Sequence, residues 1–435
     1  MKPNKKITSI VRISLLIFGL SFPVFNQNVY GQDYCNTLRF DTTDIFLESE
    51  LDSTILQFGQ NTDWLGNPTN LFTFLVYPDT TLDTFTKRPM IMLIHGGGLC
   101  FGNRNECKQE AIYYAKKGFV VASIDYRIGW YLGAGNYPTY CNGTNVTHIQ
   151  ALYRAVQDTK AALRFFVAIS QTYRIDENFI FIGGSSAGAF ASLATAFISQ
   201  NDFESIQPSI GSVLGSLDSA SNGLTDSYSI KGILSSKGGL FDTIVMSGGN
   251  SVPVILFHGT ADTYYPYLED HAYSCSNYFT MQGSGFIAPK LEHLGECYEL
   301  NIRNGVGHEL PAGEYMYDRK LLFVKRILCN DCRQIIVIDS TVFYDSGTIT
   351  AVQAANGISG LSITVYPNPV TDFLQLESNF ESPLRFEAFD NLGRLSLQGE
   401  IGNDKTIDMR TLNTGLYFLR ITNGPFVFTQ KIIKQ

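Results

Sequence analysis

Residues 179–198 read FIFIGGSSAGAFASLATAFI. Four apolar residues suit a buried strand. The Gly-Gly-Ser-Ser run after them suits a tight turn, and the alanine-rich run that follows suits a helix packed close to its neighbours. A strand that turns this sharply into a helix belongs to a mostly parallel sheet, where the chain must cross back over the sheet between strands. Leu71–Tyr77 (LFTFLVY), Pro89–Ile94 (PMIMLI), Gly118–Ile124 (GFVVASI), Val252–Phe257 (VPVILF) and Tyr298–Ile302 read as further strands, and Gln150–Ser170 carries apolar residues at helical spacing. The expected fold class is α/β, a mostly parallel sheet flanked by helices. Ligands of such sheets sit at the carboxyl ends of the strands.

The chemically suggestive residues fall at those ends. Gly184-Ser185-Ser186-Ala187-Gly188 fits G-x-S-x-G. Chance supplies about 0.2 such matches in a chain of this length, so the pattern draws its weight from the strand before it and the helix after it. An elbow of this kind strains the serine backbone and lifts its hydroxyl clear of the sheet. Ser186 is the candidate nucleophile, with Ser185 the alternative in the neighbouring register. His95-Gly96-Gly97-Gly98 directly follows PMIMLI. Glycines there let backbone N–H groups approach a substrate oxygen, so Gly97, Gly98 and Ala187 are the candidate donors to an oxyanion. His95 is expected to brace the loop. No Walker lysine or G-x-G-x-x-G follows, which argues against a phosphate loop.

A serine hydroxyl needs a base to accept its proton. Asp262 lies just past the strand-like VPVILF, and His308 closes Asn304-Gly305-Val306-Gly307-His308 after the last strand of this region. They supply a candidate acid and base in the order Ser, acid, His. His293 is the alternative base, although it precedes that strand.

HGGGLCFG (95–102), Asp125-Tyr126-Arg127, GGSSAGA (183–189) and HGTAD (258–262) resemble the acetyl-esterase/carboxylesterase branch of the α/β-hydrolases over about Leu71 to Leu310. The resemblance implies an eight-stranded sheet and neither metal nor other cofactor. It also implies an acyl-enzyme mechanism: Ser186 attacks an ester carbonyl, His308 relays the proton and Asp262 orients His308. Acetyl or feruloyl esters of polysaccharides are the expected substrates. A serine peptidase of the prolyl-oligopeptidase type and a non-catalytic surface adhesion protein on the same scaffold stand as alternatives. Residues 200–250 and 263–297 match no family pattern and are expected to form a cap or pocket wall. Trp130, Tyr131, Tyr264, Tyr265 and Tyr267 are candidates for an aromatic acyl or sugar site, with ordinary packing as the competing reading.

Lys2, Lys5, Lys6 and Arg12, the apolar Ile13–Phe25 and a small-residue site at Val29-Tyr30-Gly31 read as an export signal over 1–31. The expected catalytic domain covers 32–332 and a linker 333–360. Phe373–Glu377, Leu384–Phe389, Gly415–Ile421 and Phe426–Ile433 alternate apolar and polar residues, as in a small β-sandwich over 361–435. Val365-Tyr366-Pro367-Asn368-Pro369, the turn from Asp390 to Arg394, Gly415-Leu416-Tyr417 and Lys431–Lys434 resemble the C-terminal sorting domain of the type IX secretion system. That resemblance implies the secretion machinery as partner and passage through the periplasm to release or surface attachment; a carbohydrate-binding module is the alternative.

Eight cysteines in an exported chain suggest disulfides. Cys100–Cys107 and Cys275–Cys297 are plausible local pairs, and the Cys329-Asn330-Asp331-Cys332 spacing is read as structural rather than as redox or zinc chemistry. The net charge of −8 argues against nucleic acid or an anionic membrane as partner. Outside the signal no segment reads as a membrane span.

Overall fold

The computed structural model describes residues 34–345, 363–378, 384–390, 394–402, 404–423 and 426–435. The expected signal and residues 346–360 of the expected linker lie outside them. Ten strands form one sheet: β1 (Leu51–Thr62), β2 (Pro68–Pro78), β3 (Arg88–Ile94), β4 (Val120–Ile124), β5 (Ile175–Ser185), β6 (Ile230–Ser236), β7 (Val254–Gly259), β8 (Tyr298–Arg303), β9 (Gln334–Ile338) and β10 (Thr341–Asp345). Their order is β1-β2-β4-β3-β5-β6-β7-β8-β9-β10. The seven strands from β4 across to β9 are joined in parallel. β1, β2 and β10 pair antiparallel.

Strand pleating sends alternate side chains to opposite faces. Met90, Met92 and Ile94 of β3 enter a core shared with helices α2 (Asn145–Ala168) and α3 (Ala187–Phe197); Ile91 and Leu93 enter a second core with α1 (Lys108–Ala115). Helix α4 (Ser284–His293) joins the first core and α5 (Glu314–Leu328) the second. Both faces are therefore covered, which is why β3 is buried at every position. After β3 the strand order reverses, with β4 on one side and β5 on the other. Ile94 pairs with Gly184 across that crevice, so the glycine loop and the serine elbow leave the sheet side by side.

Two expectations need correction. Among the described residues the sheet has ten strands rather than eight, and the additional β9 and β10 come from the front of the segment read as a linker. Gln334–Ile338 (QIIVI) is apolar enough to extend the sheet, and its entrance is bonded to that of β8 by Cys297–Cys332. The local cysteine pairs also do not form. The disulfides are Cys35–Cys329, Cys141–Cys275 and Cys297–Cys332, and Cys100 and Cys107 are free thiols. Parallel pairing decides the third bond, because Tyr298 lies opposite Gln334 and the residues preceding each strand become neighbours. Cys329 and Cys332 are both structural, in separate bonds.

The strands from residue 363 onward are β11 (Ile363–Tyr366), β12 (Phe373–Ser378), β13 (Leu384–Asp390), β14 (Leu395–Ile401), β15 (Thr406–Asp408), β16 (Gly415–Asn423) and β17 (Phe426–Lys434). They form two antiparallel sheets, β11-β12-β15 and β14-β13-β16-β17, that close over one core containing Leu374, Leu376, Phe386, Leu419 and Ile432. This is the expected small sandwich. Phe418 joins the first core of the large domain, with Leu416 packed beside it, and Lys431 pairs with Glu292 of α4. Among the described residues no helix is long and apolar enough to cross a membrane.

Candidate active site

β5 ends at Ser185 and α3 begins at Ala187, so Ser186 is the elbow itself. It adopts φ 56° and ψ −122°, a region that side-chain-bearing residues seldom occupy. Its N–H is fixed to the Ser236 carbonyl of β6 at 2.8 Å. The flanking glycines are required by close approach. A Cβ on Gly184 would lie 2.3 Å from the Ile94 carbonyl oxygen, and one on Gly188 only 2.0 Å from it. Ser185 stays in the sheet, in register with Ser236. Of the two serines, the structure puts Ser186 against the histidine.

The Ser186 Oγ lies 2.8 Å from His308 Nε2, and His308 Nδ1 lies 2.7 Å from Asp262 Oδ2. A carboxylate only accepts, so Nδ1 carries the proton and Nε2 is left to accept from the serine hydroxyl. The other oxygen, Asp262 Oδ1, accepts the backbone N–H groups of Tyr264 and Tyr265 at 2.8 and 3.0 Å. Burial works to raise the Asp262 pKa, but hydrogen bonds and charge from His258 and His308 outweigh it and hold the carboxyl well below its usual range. Tyr264 stacks on the His308 ring at 4.8 Å. His293, the alternative base, is an exposed residue at the end of α4.

His258 supports this arrangement and was not picked out from the sequence. It is fully buried at the end of β7. Its Nε2 donates to the Tyr265 carbonyl at 2.9 Å and lies 3.4 Å from Asp262 Oδ2, while Nδ1 meets the Ser284 hydroxyl at 2.8 Å. Its four-residue spacing from Asp262 was the one available hint.

The glycine loop is fastened by its carbonyls. Those of His95 and Gly96 receive the Tyr126 hydroxyl at 3.2 and 3.1 Å. That of Gly97 accepts the N–H groups of Cys100 and Phe101, that of Gly98 the Trp130 indole N–H at 3.0 Å, and that of Leu99 the Gly129 N–H at 2.7 Å. Gly97 and Gly98 hold φ values of 98° and 61°, which favour glycine. The loop abuts the elbow, since a Cβ on Gly96 would lie 3.6 Å from that of Ser186. Ala187 opens α3, so its N–H has no acceptor within the helix. His95 stacks on Tyr126 at 4.2 Å, and its Nδ1 meets the Gly96 carbonyl at 2.8 Å. Burial lowers its pKa to about 4, which keeps it neutral as a brace.

The aromatic candidates divide by burial. Trp130, Tyr265 and Tyr267 are buried, while Tyr131 and Tyr264 are exposed. A row of exposed rings was missed: Phe101, Tyr137 and Tyr140 follow one another at centroid distances of 5.9 and 5.7 Å. They border the glycine loop, because a Cβ on Gly97 would lie 3.2 Å from that of Phe101, and one on Gly98 3.5 Å from Pro138.

Comparison with known proteins gives two family matches and several similar solved structures. Residues 79–237 match the BD-FAE family, and residues 364–435 match the secretion system C-terminal sorting domain. No curated protein matches the chain. Among solved structures, the propionate-bound esterase Est2 of the Planctomycetes species Thermogutta terrifontis is similar at 16% identity and a TM-score of 0.43, covering 64% of this chain and 94% of that one. MGS-M1, an α/β-hydrolase enzyme from a Medee basin deep-sea metagenome library, is similar at 14% identity and a TM-score of 0.43, with coverage of 64% and 98%. The match of the sorting domain means that the chain is exported through the type IX system and is then released or attached to the cell surface.

Proposed function

We propose that this α/β-hydrolase, exported by its C-terminal sorting domain, is a serine carboxylic-ester hydrolase that works through an acyl-enzyme on Ser186. The observation that carries the reading is the continuous hydrogen-bond chain from Ser186 through His308 to Asp262, with distances of 2.8 and 2.7 Å. His308 Nε2 takes the hydroxyl proton as Ser186 Oγ attacks the ester carbonyl. The N–H groups of Gly97, Gly98 and Ala187 receive the developing oxyanion. His308 then gives the proton to the departing alkoxide, and a water activated the same way releases the acid. Asp262 stays ionised throughout, as its depressed pKa favours, and compensates the charge on His308.

Phe101, Tyr137 and Tyr140, between 45% and 55% exposed, support a substrate that brings a ring to the site. A polysaccharide ester supplies such rings through its sugars, and a feruloyl ester through its acyl group. The catalytic domain of this reading begins at residue 32 and extends through β10 at Asp345, past the earlier boundary at 332, with the sorting domain over 361–435.

The test is a panel of p-nitrophenyl esters, acetylated xylan, feruloyl esters and peptide anilides. Ester turnover with little anilide cleavage is expected, and amide cleavage without ester preference would overturn the reading in favour of a peptidase. Ser186→Ala should fold normally, lose turnover by about 10⁴-fold or more and resist a fluorophosphonate probe. Ser185→Ala should keep both activity and labelling, and the reverse pattern would move the nucleophile by one residue.

A further inference from the structure

Trp130 holds the glycine loop without meeting the reacting groups. It is 1% exposed, and its Nε1–H donates to the Gly98 carbonyl at 3.0 Å. The preceding residue, Gly129, donates its N–H to the Leu99 carbonyl at 2.7 Å, and its own carbonyl accepts Arg154 of α2 at 2.6 Å. Two successive carbonyls of the loop are thus held by one dipeptide that is itself anchored to a helix. The indole lies flat on His148, with centroids 4.0 Å apart and planes within 6°, and Tyr278 meets it edge-on at 5.5 Å. His148 is fully buried, and neither ring nitrogen has a hydrogen-bond partner among the described residues. Burial lowers its pKa to about 3, so it serves as a neutral aromatic slab.

The backbone that Trp130 grips is unusual. Gly97, Gly98 and Leu99 form an unbroken run with φ of 98°, 61° and 61°. Leucine does not favour that region, so without restraint Leu99 relaxes toward negative φ. Such a rotation swings the Gly98–Leu99 peptide and disturbs the adjoining N–H groups of Gly98 and Gly97. A bond to the Gly98 carbonyl opposes that rotation.

We propose that Trp130 is a positioning residue for the oxyanion donors. Its indole N–H locks the Gly98–Leu99 peptide and thereby aims the Gly97 and Gly98 N–H groups, while the stack on His148 keeps the indole in place. This rests on the ester-hydrolase reading above. The negative oxygen exists only during reaction, so loosened donors lower kcat and leave KM nearly untouched.

The experiment compares the full-length wild type with Trp130→Phe and Trp130→benzothienylalanine, using p-nitrophenyl acetate. The first variant keeps an aromatic ring on His148; the second keeps the bicyclic shape and replaces only the N–H by sulfur. Both should lose kcat by about tenfold or more. KM should stay within about twofold, and affinity for a trifluoromethyl ketone should fall in proportion to kcat/KM. Wild-type kcat in the benzothienylalanine variant, or a loss carried by KM, would overturn the proposal. If Trp130→Phe does not fold, the isosteric variant decides alone. Failure of the wild type to hydrolyse any ester or to be labelled at Ser186 would count against the ester-hydrolase reading instead. An active wild type with unaffected variants would count against Trp130 only.

Discussion

His258 has no place in the proton path, yet two of its neighbours depend on it. Its ring bridges the Ser284 hydroxyl and the Tyr265 carbonyl and lies against the buried oxygen of Asp262. His258→Phe fills much of the same space and leaves both partners unpaired in the interior. Urea denaturation should report a loss of about 1–3 kcal/mol. Because Tyr265 also donates to Asp262, kcat should fall more than KM rises; unchanged kcat would mean that the histidine serves packing alone. The three residues proposed for the chemistry were legible because local patterns fix them: glycines flank Ser186, a strand end precedes Asp262 and a glycine-bearing loop carries His308. His258 and Trp130 were not singled out for these roles. Their contributions come from partners distant in the chain, such as Ser284 and Gly98, and sequence spacing carries no such pairing.

At the level of elements, the strands read from sequence were those buried on both faces, whose apolar runs leave little ambiguity. β1 was missed because its pattern is largely exposed or half-buried along an edge. β6 (IKGILSS) was missed because glycine and serines interrupt its apolar run, although all five residues from Gly232 to Ser236 are buried. β9 and β10 lay where the composition suggested a linker. Cys297–Cys332 ties that pair of strands to β8 across a sequence separation of 35. Closing a loop of that size is worth about 3–4 kcal/mol in the chain-entropy model. The double variant Cys297→Ser, Cys332→Ser should therefore accelerate amide exchange across 334–345. Turnover should persist, because none of the proposed catalytic residues lies on β9 or β10. Exchange unchanged from the wild type would show that sheet hydrogen bonding alone secures these strands.

For the molecule as a whole, two buried neutral histidines set a direction for acid stability. Burial is the leading cause of lowered pKa for both His95, to about 4, and His148, to about 3. Unfolding returns each to about 6.5, so below that pH the unfolded chain binds the extra protons. The stabilisation is complete above about 6.5 and is lost as pH falls toward the folded values, at about 1.4 kcal/mol per unit for each group at most. Chemical denaturation between pH 7 and 5 should record this decline, and His148→Phe should make it shallower. An identical slope in the variant would locate the proton uptake elsewhere. The two-domain plan was legible, because a parallel-sheet pattern gives way to short alternating strands. The place where the large sheet ends was not, since that depends on which strand lies beside β8.

Cys35 and Cys329 are joined across a separation of 294 residues. At a synthesis rate of about 5–20 residues per second, Cys35 is made roughly 15–60 s before its partner. Cys100, Cys107, Cys141, Cys275 and Cys297 all emerge in that interval, and two of them must end as free thiols. Any disulfide that Cys35 forms before Cys329 reaches the oxidising compartment is therefore non-native, and recovery from it requires thiol exchange.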